Sequence, residues 1–261
     1  MVTTASARFS GDPSALSALC QIAREDLLLL ALLQDRELEA ETLRNLRREE
    51  GELLGLRLAT PAAQEALALL RQGLADIPLD PDAQTLDILA AEFADIYLNH
   101  HHQASPCESV WLDEDGLIMQ EPMFQLRGWY QRHGLQVRNW RLRTDDHLVT
   151  QLQFIGFLLE GEATPERLEE IGRFLDEHLL RWIGAFGERV GARCQTRFYA
   201  GLTGLTAAYL EELRDLIALI LGVPRPSPEE IAERMRPPRD ILGLTVAGPA
   251  LPASANEGPG W

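Results

Sequence analysis

Three consecutive histidines, His100, His101 and His102, stand five residues before Cys107 in the stretch NHHHQASPCESVWL. Imidazole and thiolate are zinc ligands, and a catalytic zinc takes three protein ligands and keeps one open position. Successive side chains of an extended chain point to opposite faces, so at most two of the three histidines reach one metal without distortion. HxxxH and HExxH are absent, His133 stands at the end of a different predicted helix, and Cys107 follows Pro106 in a loop. A solvated loop is expected, with no metal and no cofactor. The alternative is a helical metal-binding enzyme built on His100–His102 and Cys107.

A second cluster lies in WRLRTDDHLVTQL. Asp146 and His147 fall in the first turn of a predicted helix, where a carboxylate complements the free N–H groups and the helix dipole. No serine or cysteine nucleophile is tied to this pair by a motif, so N-capping is its plain structural role. A third feature is aromatic. Trp111, Trp129, Tyr130 and Trp140 fall within thirty residues of one another. Such side chains fill cores, and on loops beside acidic residues they also suit a groove for an apolar, arginine-bearing ligand.

The elements that must position these residues are helices. GDPSALSALCQIAREDLLLLALLQD offers Asp12 as N-cap and Pro13 at the first helical position, where a missing N–H costs nothing. Leu16, Leu19, Ala23, Leu27 and Leu30 recur at helical spacing. Thr60–Pro61 and Asp80–Pro81 open two further helices in the same way. In the first, Ala63, Leu67, Leu70 and Leu74 form the apolar stripe. In the second, Leu86, Leu89, Ala90, Phe93 and Tyr97 do so. EPMFQLRGWYQRHG predicts a helix with Met123, Leu126 and Tyr130 inward and Gly134 as its stop. The next helix, capped by Thr144 or Asp145, ends at Gly161. One from Thr164–Pro165 breaks near Gly184 or Gly187, and a long buried helix closes at Gly222. ESVWL is the one candidate strand.

An all-α multi-helix bundle in two halves is expected. Residues 1–133 form the N-terminal half, 134–147 a hinge segment and 148–222 the C-terminal half. Residues 223–261 form a tail that holds eight of the fifteen prolines. Within it, Ser227 and Glu230 form a capping box for one short helix.

The 261-residue chain is 46% hydrophobic, enough for a sizeable core. Forty acidic residues face 24 basic ones, all arginine, for a net charge of -16. That balance argues against binding nucleic acid through phosphates and favours a cationic partner if carboxylates cluster on one face. Three scattered cysteines with no CxxC pair fit a reducing compartment. No signal-peptide run or bilayer-length apolar stretch occurs, so a cytoplasmic protein without stable membrane insertion is expected.

The segment EFADIYLNHHHQASPCESVWLDEDGLIMQEPMFQLRGWYQRHGL resembles the centre of the TorD/DmsD/NarJ group of redox-enzyme maturation chaperones. In that group a helix ends in an apolar–aromatic pair. A loop with proline follows, then Ser-Val-aromatic-Leu, an acidic-Gly turn and Met-Gln-Glu leading into the next helix. Ser109, Val110, Trp111, Leu112, Asp115, Gly116, Met119, Gln120 and Glu121 match in order. Asp146 and His147 fit the Asp-His of the group's Glu-Pro-x-Asp-His motif, with Arg143 and Thr144 where Glu and Pro stand. The likeness covers roughly residues 15–222.

The resemblance implies an all-α chaperone rather than an enzyme. Its partners would be the apo catalytic subunit of a molybdopterin-dependent oxidoreductase and that subunit's twin-arginine signal peptide. It would assist cofactor insertion and delay export, as a monomer or a domain-swapped dimer. Asp146, His147, Trp111, Trp140, Ser109 and Glu121 are the client-binding residues it implies. Asp146 and His147 are expected to matter more for client binding than for folding, with the His147 ring presented to the groove near Trp140 and Trp111.

Overall fold

The computed structural model describes residues 12–48, 53–99, 101–141 and 143–236. Eleven α-helices are formed among these residues. They are α1 (Pro13–Leu33), α2 (Ala40–Arg48), α3 (Pro61–Asp76), α4 (Ala83–Phe93), α5 (Ser109–Leu112) and α6 (Glu121–Arg132) in the first part of the chain. There follow α7 (Leu148–Glu160), α8 (Pro165–Glu177), α9 (Ile183–Arg193), α10 (Arg197–Leu221) and α11 (Pro228–Arg234). No strand occurs among the described residues, only an isolated bridge between Cys107 and His147. Met1–Arg225 and Pro226–Trp261 are two separate compact units. In the second, the Ser227–Glu230 capping box opens α11 as expected. The remainder of the tail lies outside the described residues.

In the first unit, α10 lies along α3 and against α8 and α9, while α1 lies along α7. Helices from before and after segment 134–147 therefore share one core. The α3–α10 contact is backbone on backbone. A Cβ on Gly73 would stand 2.3 Å from the Phe198 nitrogen, and one on Gly201 would stand 2.3 Å from the Leu70 nitrogen. Among the described residues no helix is long and apolar enough to cross a membrane.

Helix starts follow side-chain oxygens. Asp12, Thr60 and Thr164 cap α1, α3 and α8, each followed by proline. Three expected boundaries move. Asp82, not Asp80, caps α4, because its Oδ1 accepts from both the amide and the hydroxyl of Thr85, at 2.8 and 2.6 Å. His147, not Thr144 or Asp145, caps α7. Its ring Nδ1 accepts from the Val149 amide at 3.2 Å, while Asp145 is drawn away to Arg127. The helix from Thr164 ends at Glu177 rather than near Gly184 or Gly187. His178 leaves helical geometry to meet Glu108, and a 3-10 turn, Leu179–Arg181, follows. Gly187 serves a close approach instead, since a Cβ there would meet the Thr203 carbonyl oxygen at 3.2 Å. ESVWL is no strand: Ser109–Leu112 is a single helical turn.

Candidate functional site

The chemistry-bearing residues meet where the chain segments 105–112 and 144–148 run antiparallel. The Glu108 amide donates to the Asp146 carbonyl at 3.1 Å, and the Leu148 amide donates to the Pro106 carbonyl at 2.7 Å. The Asp146 carboxylate then accepts the Ser109 amide at 2.9 Å. That N–H has no partner inside its own helix, since the first amides of a helix never do. The Ser109 hydroxyl accepts the Gln120 amide at 3.2 Å, at the start of α6. One chain of bonds thus runs from the start of α7 through α5 to α6 and fixes both ends of the loop 113–120.

Ser109 and Asp146 are fully buried, and His147 is 8% exposed. Asp146 precedes α7 and serves another helix, so it does not sit in that helix's first turn as expected. The His147 ring Nδ1 accepts from the Val149 amide at the start of its own helix. Thr144 approaches the Cys107 sulfur at 3.4 Å. Tyr130 donates its hydroxyl to the Asp145 carbonyl at 2.8 Å, and Arg127 pairs with the Asp145 carboxylate at 2.8 Å. Segment 144–147 is therefore held at every residue.

Trp111 is half-buried beside this junction. Its indole N–H donates to the Ser105 carbonyl at 2.8 Å, its ring stacks on Trp182, and the Arg189 guanidinium lies 4.5 Å from its centroid. Trp140 is reached from the junction through Arg127, which pairs with Asp145. It is 40% exposed on the segment after α6, and Arg127 and Arg141 each lie 5.5 Å from its ring. Glu121 is exposed in the first turn of α6, where Gln125 donates to it at 3.4 Å. Ser109, Asp146, His147 and Trp111 are thus gathered at one junction. Trp140 and Glu121 lie on the surface beyond it.

A pair that sequence reasoning missed completes the junction. Glu108 and His178 are both fully buried, with the carboxylate 2.9 Å from the ring Nδ1. The Trp129 and His178 rings are T-shaped, with centroids 6.3 Å apart. The partners are seventy positions apart, and no spacing rule links them.

Burial pushes the Cys107 thiol up to about 11, and the Asp146 carboxylate adds to the effect against weaker opposition from Thr144 and Ser105. Burial, then Glu108, Asp145 and Asp146, raises Tyr130 well above its ordinary value. Neither side chain is an activated nucleophile at neutral pH. The histidine loop is tied to α9: Arg193 donates to the His102 carbonyl, and Arg189 donates to the Gln103 carbonyl at 3.0 Å. His100 lies outside the described residues. Among those described, no group of three or more His, Cys, Asp or Glu residues is placed to hold a metal.

The family described as nitrate reductase delta subunit matches residues 57–188, which include Glu108, Ser109, Asp146, His147 and His178. Chaperone protein TorD of Vibrio vulnificus is 32% identical over 129 residues, which are 46% of this chain and 60% of that protein. Chaperone protein TorD of Aliivibrio fischeri is 28% identical over 160 residues, 58% of this chain and 74% of the relative. The TorD of Ferrimonas balearica is 30% identical over 190 residues, 70% of this chain and 83% of the relative. Against the Vibrio vulnificus relatives, the chain thus spans about 60% of their length.

Proposed function

The chain belongs to the nitrate reductase delta subunit family, and from that premise we propose that it is a system-specific chaperone of redox-enzyme maturation. Its client is the apo catalytic subunit of a molybdopterin-dependent oxidoreductase, together with the twin-arginine signal peptide of that subunit. It acts in the cytoplasm, keeps the subunit competent for cofactor insertion and delays export. The molybdopterin belongs to the client, and no bond is made or broken by the chaperone.

The observation that carries this reading is the junction itself. Ser109 and Asp146 come from two segments of the likeness noted above, and they are joined by a single buried hydrogen bond. Around it, Trp111 supplies aromatic surface, and the net charge of -16 supplies attraction for a cationic signal head. Segment 134–147 is read as the hinge between the helical halves. Its last residues are anchored at this junction, so a client bound here would touch both halves.

Affinity capture of the protein from its own cells, followed by mass spectrometry, tests the assignment. A molybdopterin oxidoreductase catalytic subunit, enriched and lacking its cofactor, is the expected partner. Enrichment of unrelated proteins, with no oxidoreductase subunit among them, would contradict it.

A further inference from the structure

A cleft of about 570 Å³ is lined by the chain that follows α6 and by one face of α7. The chain is fixed on both sides of it. Gly134 leaves α6 at φ +70, and the Leu135 amide donates to the Tyr130 carbonyl at 2.9 Å. Farther on, Arg143 donates to the Asp35 carbonyl at 3.1 Å and pairs with the Asp35 carboxylate, just after α1. The cleft is thus a part of the folded structure.

The contribution of α7 is Thr150, Gln153, Phe154 and Phe157, spaced as one face of a helix. The Phe154 and Phe157 rings are 17° from parallel with centroids 6.3 Å apart, and Phe157 is 41% exposed. Half-buried Leu135 and Val137 add aliphatic surface. An apolar wall of this kind in a cleft of this volume suits a small molecule.

Charge decides which small molecule. The chain has 40 acidic and 24 basic residues, yet no carboxylate lines the cleft. The charged side chains there are Arg138 and Arg143. Arg143 is committed to Asp35. Exposed Arg138 has no ion pair or hydrogen bond among the described residues, and the side-chain amides of Gln136, Asn139 and Gln153 are equally uncommitted. A cationic segment would meet like charge here. A polyanion would find a single uncommitted cation. An apolar or aromatic body with one negative charge matches both the wall and Arg138.

We infer that this cleft is a binding site for a small aromatic carboxylate. Its ring packs on Phe157 and on the aliphatic surface of Leu135 and Val137. Its carboxylate accepts from the Arg138 guanidinium, a charge-assisted bond. The inference does not rest on the chaperone reading, because a twin-arginine segment has the opposite charge.

The test is fluorescence titration of the full chain with pyrenebutyrate and with its cationic counterpart, pyrenebutylamine. The wild type is expected to bind the carboxylate saturably and at least about tenfold more tightly than the amine, against the pull of the net charge. Arg138→Glu weakens the carboxylate by about tenfold or more. Gln153→Trp, at an exposed position of α7, fills the cleft and weakens it as well. Melting stays unchanged in both variants, since neither side chain has a partner to lose. Absence of saturable carboxylate binding overturns the assignment. So does equal affinity for carboxylate and amine, or carboxylate binding that survives either substitution undiminished.

Discussion

Asp146 acts through the backbone of another helix. Its carboxylate satisfies the Ser109 amide in a site with no access to water. Asp146→Ala leaves that N–H buried without a partner, at a cost of about 1–3 kcal/mol. Its burial changes the outcome expected from sequence, because melting should fall along with client affinity. Thermal unfolding checks this, and an unchanged melting temperature would show that the bond contributes nothing. The Glu108–His178 pair is a second such bond. His178→Ala removes the hydrogen-bond partner of the fully buried Glu108 side chain, at a cost of about 1–3 kcal/mol. Replacing both partners with apolar residues should restore much of the loss in a double-mutant cycle. At Cys107, burial and the nearby Asp146 carboxylate both disfavour the thiolate, which raises the thiol to about 11. At pH 8 only about one molecule in a thousand carries the reactive thiolate there. Iodoacetamide should therefore label Cys107 only after unfolding, as read by peptide mass spectrometry. The Asp146–His147 and Ser109–Trp111 stretches stand out in the sequence because their residue types are unusual. Glu108 and His178 do not, because only the fold brings them together.

Elements were legible where local chemistry dictates them. A hydroxyl or carboxylate before proline marks the starts of α1, α3 and α8, since the cap bond and the missing proline N–H act over one turn. The same pattern misleads at Asp80–Pro81, where Asp82 finds two donors on Thr85. Ser109–Leu112 carries strand-forming residues, yet tertiary anchoring by Asp146 fixes it as a helical turn. Glycine is equally ambiguous in sequence. Gly201 sits where α10 touches the α3 backbone, with 2.3 Å left for a Cβ, while exposed Gly184 in α9 has nothing within 4 Å. Gly201→Ala should destabilise the protein by about 3 kcal/mol or more, because neither backbone can yield. Gly184→Ala should stabilise it by about 1 kcal/mol through helix propensity. Paired thermal melts check both signs, and equal effects at the two positions would contradict the backbone-on-backbone packing of α3 and α10.

At the scale of the whole molecule, composition and helical periodicity suffice for the all-α class, because a 3.6-residue apolar repeat is intrinsic to the chain. The cleft beside α7 was not legible, since it depends on the positive φ of Gly134 and on the bonds that fix Leu135 and Arg143. The net charge of -16 gives the protein a long-range attraction for cationic segments, and the proposed client would bring one. That attraction is screened over ~8 Å at physiological ionic strength, so affinity should fall as salt rises while the apolar contacts persist. The most direct test is titration of the purified protein with its client's catalytic subunit, in apo and cofactor-loaded forms, at low and high salt. The expected result is saturable binding that is at least about tenfold tighter for the apo form, a gap of about 1.4 kcal/mol, and weaker at high salt. Failure to bind the apo-subunit or its signal peptide, or equal affinity for the apo and loaded forms, would contradict the chaperone assignment.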